Sequence, residues 1–370
     1  MSHSSSYKVS IVFGTRPEAI KLSPLILAFK SCKNVQVKVI LTGQHHEMVY
    51  QVLNQFNIIA DHDLKIMSKK QSLTHITIAS LEGLSKEFLL NKPDIVIVQG
   101  DTSTAFAAAL AAFYQKIPIG HVEAGLRTEN LFDPYPEEAN RRLITQIASI
   151  HFAPTKKSYK TLRELNVSGK IELTGNTVID ALLLMKDKVP NTPFKGPSWD
   201  KHKIILTTVH RRENWSGNIE KIAKGILLLL EKNKDIEFIL PMHLNPIVRK
   251  PIRKYLENHP RVFLTEPLDY KTLVSVIKKS KLILTDSGGL QEEAPSLGKP
   301  VLVLRKTTER PEAIEAGTAK LIGTEAKRIY KEVNLLLHNN LIYSSMAKAI
   351  NPFGDGNASD IIVDKCIKFL

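Results

Sequence analysis

The sequence predicts an α/β protein of two domains in series, each a parallel sheet wrapped by helices. Three observations carry that prediction. Short β-branched apolar runs alternate with longer segments of helical period. The runs are near-continuously apolar, as strands buried on both faces are. The alternation stops once, across the Pro-rich segment VPNTPFKGPSWD at 189–200, and then restarts. Strand–helix–strand repetition builds right-handed βαβ units on a parallel sheet. Length agrees, since 370 residues at roughly 150 per domain make two domains or three.

Strands are expected at VSIVF (9–13), VKVIL (37–41), DIVIV (94–98), IPIGH (117–121), KIILTT (203–208), IEFIL (236–240), LILT (282–285) and VLVL (301–304). Apolar residues at helical spacing predict helices over 16–30, 103–115 and 216–232. Open parallel sheets bind ligands beyond the carboxyl ends of their strands, so the residues just after each run are the informative ones. They are polar: GTRPEAIK, QGDTST, VEAGLRT, VHRREN, PMHLNP and DSGGLQEE. Six such strand ends in two domains point to one shared cleft.

Composition narrows the function. Hydrophobic residues make up 43% and charged residues 24%, ordinary for a globular protein and enough for two cores. No apolar run approaches the ~18 residues of a membrane span, and the first ten residues lack the apolar core of a secretory signal. Cys32 and Cys366 are the two cysteines, too few for a disulfide framework or a CxxC metal site. A cytoplasmic protein is the expectation. The formal charge is +14, which favours anionic partners. Yet the basic residues are scattered and aromatics make up 6%, unlike the dense basic, aromatic-rich surfaces that grip nucleic acid. A small phosphorylated ligand fits better.

Gly14-Thr15-Arg16-Pro17-Glu18 reads as a tight turn into a helix, with Arg16 and Lys21 adding positive charge. A helix start with unpaired N–H groups suits a phosphate; an ordinary cap with surface basics is the plainer alternative. Asp286-Ser287-Gly288-Gly289 repeats the idea in the second domain. Glu293 lies about two helical turns further on, where a carboxylate could accept two ribose hydroxyls. No GxGxxG follows a strand, so a dinucleotide redox cofactor is disfavoured. Asp101, Glu123 and Glu137 are three carboxylates placed near a phosphate turn. Neighbouring acids push each other's pKa apart, which serves acid–base work; divalent metal binding and plain helix capping are the alternatives. His210 and His243 follow successive strands of the second domain. HRRE is not HExxH, so zinc is not expected there.

These segments, in this order, resemble the bacterial non-hydrolysing UDP-N-acetylglucosamine 2-epimerases. The resemblance runs from GTRPEAIKLSP through QGDTSTAFAAALAAFYQKIPIGHVEAGLRT, PYPEEANRR, LTGNTVIDAL, VHRREN and PMHLNP to DSGGLQEEAPSLGKPVLVLRKTTERPEA and NPFGDGNAS. It implies two Rossmann-like domains facing across a cleft, the GT-B-type architecture of many nucleotide-sugar glycosyltransferases. The final helix would return to the first domain, giving 1–175 plus 355–370 and 176–354. It implies interconversion of UDP-GlcNAc and UDP-ManNAc by elimination of UDP to 2-acetamidoglucal and re-addition with inversion at C2, with neither metal nor cofactor, and a homodimer. The family's catalytic acids fall on Asp101, Glu123 and Glu137 and its key histidine on His210. UDP contacts carry over to Arg16, Lys21, His243, Ser287, Gly288, Gly289, Glu293 and Arg310. Many members bind a second UDP-GlcNAc as activator, at positions matching Gln44, Lys70 and Arg211, with Glu47 nearby. Lys70 stands where arginine is common and Glu47 where glutamine is common, and lysine cannot reproduce arginine's two-pronged contact. A hydrolysing epimerase and a glycosyltransferase on the same scaffold are the competing readings. The three first-domain carboxylates argue against the transferase, which usually needs one base.

Overall fold

The computed structural model describes residues 6–68, 71–215 and 217–370. The chain divides into two compact units, one running through Ala181 and completed by Phe353–Leu370, the other Leu182–Pro352.

In the first unit the strands are β1 (Tyr7–Phe13), β2 (Val35–Leu41), β3 (His62–Asp63), β4 (Ile95–Gln99), β5 (Ile119–Val122), β6 (Ile150–Ala153) and β7 (Lys170–Leu173). They pair in the order β3-β2-β1-β4-β5-β6-β7, and every pairing is parallel. The helices are α1 (Arg16–Ser31), α2 (His46–Gln55), α3 (Leu73–Leu90), α4 (Ser103–Tyr114), α5 (Glu137–Ile147) and α6 (Lys156–Glu164), then α7 (Thr177–Lys186), within which the boundary between units falls. Central β4 is buried at every residue, as its continuous apolar run requires. Alanines 105, 107, 108, 109, 111 and 112 of α4 are buried, and α4 packs against both α3 and α5.

The second unit has β8 (Lys203–Thr208), α8 (Asn218–Lys232), β9 (Ile236–Pro241), α9 (Pro246–Leu256), β10 (Val262–Thr265), α10 (Tyr270–Lys279), β11 (Ser280–Thr285), α11 (Gly288–Glu293), β12 (Val301–Val303), α12 (Pro311–Glu315), β13 (Ala319–Leu321), α13 (Ala326–His338) and α14 (Asn340–Ala347). Its sheet, also parallel, has the order β10-β9-β8-β11-β12-β13. Ile205, Phe238, Leu282 and Leu302 of the sheet pack with Ile226 of α8 and Val333 of α13 in one core.

All eight strands expected from the apolar runs are present, with ends shifted by a few residues. Strands β3, β6, β7, β10 and β13 are additional. Three of them lack a run: β3 is two residues long, Lys170 and Glu172 interrupt β7, and Lys320 interrupts β13, whereas β10, VFLT, has a run much like LILT. His151 breaks the apolar run of β6, although the whole strand is buried. Among the described residues, no helix is long and apolar enough to cross a membrane.

The last helix, α15 (Ala358–Phe369), packs on α1. Its docking is polar at the start and apolar along its length. Asp180 Oδ1 accepts the Ser359 N–H at 2.7 Å, and Phe353 O accepts the Asn176 N–H at 2.7 Å. Ile362 and Cys366 are wholly buried. Ile362→Ala is expected to destabilise the protein by about 2–5 kcal/mol, the range for deleting a buried aliphatic side chain. The urea unfolding midpoint measures it, and an unchanged midpoint would show that α15 adds nothing to the core.

Candidate active site

The strand order reverses between β1 and β4 in the first unit and between β8 and β11 in the second. At such a switch point the connections leave in opposite directions and open a crevice at the carboxyl ends of the two strands. The segments that end those four strands carry the polar groups described next.

In the first unit, β1 ends in the turn Gly14-Thr15 that starts α1. The Thr15–Glu18 spacing is a capping-box pattern. Glu18 is buried, and its Oε2 accepts from the Gly14 N–H (3.1 Å), the Thr15 N–H (2.8 Å) and the Thr15 hydroxyl (2.8 Å). Its Oε1 accepts the Thr102 hydroxyl at 2.6 Å. Burial raises the Glu18 pKa against the pull of those bonds. This corrects one expectation about the turn: a carboxylate already occupies the N–H groups of Gly14 and Thr15. An anion here would have to be met by side chains such as Arg16, which is half-buried at the first position of α1.

β4 ends at Gln99, and Gly100-Asp101-Thr102 lead into α4, with Thr102 capping it. Arg141 Nη2 lies 2.6 Å from Asp101 Oδ2, and Asn140 Nδ2 donates to the Asp101 carbonyl at 2.9 Å. Burial raises the Asp101 pKa; Arg141 opposes that, Glu123 and Glu137 reinforce it, and Lys21 opposes it. One neighbourhood in the first unit therefore contains Lys21, Asp101, Glu123 and Glu137, all four expected from sequence. Glu137 opens α5 and is half-buried, while Glu138 beside it is fully buried and bound by Arg142 at 2.6 Å.

Glu123 follows β5 with φ 63, a left-handed conformation rare for a side chain of its size. Its carboxylate is gripped from several directions. Lys21 Nζ lies 2.5 Å from Oε1, Asn176 Nδ2 donates to Oε1 at 3.3 Å, and Gln99 Nε2 donates to Oε2. A cation and two amide donors favour the ionised form and fix its direction.

In the second unit, Asp286 is the organising group. It is wholly buried after β11 and accepts from the N–H groups of His210 (3.0 Å) and Arg211 (2.9 Å) and from Asn214 Nδ2 (2.9 Å). His210 Nδ1 is 3.0 Å from Asp286 Oδ1. Burial alone would raise the Asp286 carboxyl, but the His210 contact, the Arg211 N–H and the Asn214 amide together hold it below the usual range. An ionised Asp286 only accepts, so Nδ1 of His210 carries a proton and Nε2 is the nitrogen left for a ligand. The His243 ring stacks at 6.3 Å from that of His210. Partial burial and then the neighbouring His210 lower the His243 pKa.

Ser287 caps α11, and Gly288 and Gly289 are its first residues, where N–H groups have no intrahelical partner. Gly288 permits close approach: a methyl there would lie 3.5 Å from Arg211 Nη2 and 3.6 Å from the Arg310 guanidinium. Two arginines thus flank the turn. Arg310 Nε is held by Glu292 Oε1 at 2.5 Å. Arg211 faces Glu309 at 3.9 Å; burial would raise Glu309, but Arg305 and Arg211 bring it down to about 2. Glu293 sits four residues after Gly289, one helical turn rather than two, and its carboxylate returns to within 3.6 Å of a methyl placed on Gly289. Burial, and then the neighbouring Glu293 carboxylate, push the Tyr270 hydroxyl well above its ordinary pKa.

The second unit accordingly holds His210, Arg211, His243, Ser287, Gly288, Gly289, Glu293 and Arg310 near its switch point. Of the positions matched to an activator, Gln44 lies in the first unit beside the Gly14 turn, where it accepts the Thr104 hydroxyl at 3.0 Å. Glu47 is exposed in the first turn of α2, and Lys70 is outside the described residues. Sequence reasoning assigned no role to Glu18, Gln99, His121, Arg141, Asn176, Asn214 or Tyr270. The Thr15–Glu18 spacing was a signal for Glu18. Gln99 and Asn176 lay inside quoted motifs without marking themselves out.

Comparison with known proteins identifies the family. The family described as UDP-N-acetylglucosamine 2-epimerase matches residues 27–366. The UDP-N-acetylglucosamine 2-epimerase of Neisseria meningitidis serogroup A is 51% identical over 372 residues, covering 98% of this chain and 99% of that protein. The crystal structure of UDP-GlcNAc 2-epimerase from Neisseria meningitidis bound to UDP-GlcNAc superposes with a TM-score of 0.90 at 50% identity, covering 98% of this chain and 100% of that one. A glycosyltransferase of kitacinnamycin shares the fold alone, with a TM-score of 0.64 at 12% identity over 99% of each chain. With the family matched over most of its length and about half its residues identical to those of a relative covered almost end to end, the chain is a member of the UDP-N-acetylglucosamine 2-epimerase family.

Proposed function

We propose that this protein is a non-hydrolysing UDP-N-acetylglucosamine 2-epimerase that interconverts UDP-GlcNAc and UDP-ManNAc. The observation that carries the reading is the contrast between two carboxylates at neighbouring strand tips. Asp101 is desolvated and pushed toward its protonated form, whereas Glu123 is gripped by Lys21, Gln99 and Asn176. Acids in divergent environments are what proton transfer in two directions needs.

A hexose C2–H is not acidic, and elimination is a route that needs no outside oxidant. A base takes the C2 proton as the C1–O bond to UDP breaks. The C2–H electrons become the C1–C2 double bond, and the C1–O pair leaves with UDP. UDP and 2-acetamidoglucal result. Re-addition of UDP at C1, with a proton delivered to the opposite face of C2, gives the epimer. Asp101 and Glu137 are the groups assigned to proton transfer at C2. Glu123, fixed and ionised, positions the sugar and takes part in acid–base work. His210, oriented by Asp286, donates to the departing diphosphate, as do Arg16 and the Ser287–Gly289 turn with Arg211 and Arg310 at its sides. Glu293 receives the ribose hydroxyls. The glucal must be retained until re-addition, since its escape ends the cycle.

NMR of UDP-GlcNAc with the enzyme in deuterated water tests substrate, reaction and route together. The expected result is UDP-ManNAc with deuterium at C2. Epimer without C2 exchange overturns the elimination, and sustained release of free ManNAc makes the enzyme a hydrolysing one. Asp101→Asn and Glu137→Gln are each expected to lower kcat by about 10²–10⁴ while UDP affinity stays within about tenfold, because general acid–base contributions are of that order. Full turnover in both variants removes those roles. Asp286→Asn turns an acceptor-only group into one with an N–H facing other donors, so UDP affinity should fall by about 1–3 kcal/mol. Isothermal titration with UDP measures it, and unchanged affinity would detach His210 from the diphosphate.

A further inference from the structure

The structure assigns a function to His121, a residue that touches none of the groups expected to meet substrate. We propose that His121 is a positioning residue: its imidazole fixes the peptide that precedes Asp101 and thereby aims the Asp101 carboxylate. The inference rests on the reading of Asp101 as a proton-transfer group.

His121 lies within β5, pairing Val98 of β4 on one side and His151 of β6 on the other. It is wholly buried. A histidine at the centre of a parallel sheet replaces an aliphatic residue that would pack there without a polar group to satisfy. Its polar bond is specific. Nε2 lies 2.7 Å from the carbonyl oxygen of Gly100. A carbonyl only accepts, so Nε2 carries the hydrogen. Nδ1 is buried and has no hydrogen-bond partner among the described residues. Desolvation, only partly offset by the Gly100 carbonyl, pushes the ring pKa down to about 3, with His151 and Arg127 adding repulsion and Glu123 attraction. The ring is therefore neutral, in one tautomer, across the range in which enzymes work.

The partner explains the placement. Gly100 has φ +67, a left-handed conformation that glycine adopts at little cost and that this turn requires. Its N–H donates to Val122 O at 2.9 Å. The N–H of Gly100 is thus tied to the β5 backbone and its C=O to the His121 ring. The peptide between them and Asp101 can then no longer rotate. Asn140 holds the Asp101 carbonyl, and Glu18 holds Thr102. Of these contacts, the His121 bond is the one that fixes the plane of the Gly100–Asp101 peptide. Freed, that plane would tilt, and a displacement of the carboxylate by about 1 Å can cost on the order of 10² in rate.

The test compares His121→Phe, His121→Gln and His121→Asn in the full-length enzyme. Phe keeps the buried ring and loses the donor. Gln can place its amide N–H near the position of Nε2, and Asn is one methylene too short to reach the carbonyl. His121→Phe and His121→Asn are expected to lower kcat by about 10–100-fold with KM for UDP-GlcNAc within about threefold, and His121→Gln to recover most of the loss. The kcat–pH profile should shift in the Phe variant and return in the Gln variant, because Asp101 would change its distance to Arg141, Glu123, Glu137 and Lys21. A purely structural role predicts a lower melting temperature in all three with kcat per folded enzyme unchanged, and that result overturns the inference. If the Phe variant does not fold, the Gln–Asn pair decides: equal kcat at intact UDP binding refutes the positioning role. Asp101→Asn separates the two readings. Its loss of turnover beside a fully active His121→Phe sinks the inference alone, whereas its full activity sinks the proposed chemistry first.

Discussion

Both halves of this protein depend on the reversal of strand order at the centre of a parallel sheet. Where β1 meets β4 and β8 meets β11, the connecting helices depart to opposite faces. The backbone cannot fill the gap they leave, so side chains and ligands must. Many of the polar groups argued to matter above hang from segments that end those strands, and others, such as Asn176 and Arg141, reach in from further along the sheet. The sheets need apolar strands to be buried on both faces, and that need pushes most of the polar chemistry to the strand tips. His121 and Gln99, inside β5 and β4, are exceptions whose polar groups turn toward those tips.

Buried carboxylates hold the tips in place. Glu18 joins the turn after β1 to the cap of α4, and Asp286 joins the loop after β8 to the turn after β11. Each spans a switch point. An ionised carboxylate is costly to bury unless donors surround it, and each of these meets several. The cost helps explain why the turns are well defined: a displaced loop would strand a buried polar group without its partners. In Glu18 this arrangement also occupies the N–H groups of Gly14 and Thr15, whereas the Ser287–Gly289 turn of the second unit carries no such internal carboxylate bond to its first N–H groups among the hydrogen bonds described.

Much of the fold was legible from the residues because both sheets are built on unbroken apolar runs such as DIVIV and LILT. Most of the strands that escaped were those where polarity or brevity hid the run: β3 with two residues, β7 with Lys170 and Glu172, β13 with Lys320, β6 with His151; β10, VFLT, is as apolar as LILT and had no such disguise. The candidate site was legible where residue type and strand end coincided, as at Asp101, Glu123, His210 and the Ser-Gly-Gly turn. What escaped was the second layer. Gln99 points from within a strand, Asn176 comes from beyond β7, and Arg141 reaches Asp101 from α5. Their partners are distant in sequence, and no local spacing announces a contact that only the folded sheet creates.

The first unit is discontinuous. Its sheet is complete by Leu173, yet α15, which covers α1, is encoded at the far end of the chain. Synthesis must therefore pass through all of the second unit before the helix that covers α1 exists, so the first unit cannot finish burying its own core until its neighbour has been made.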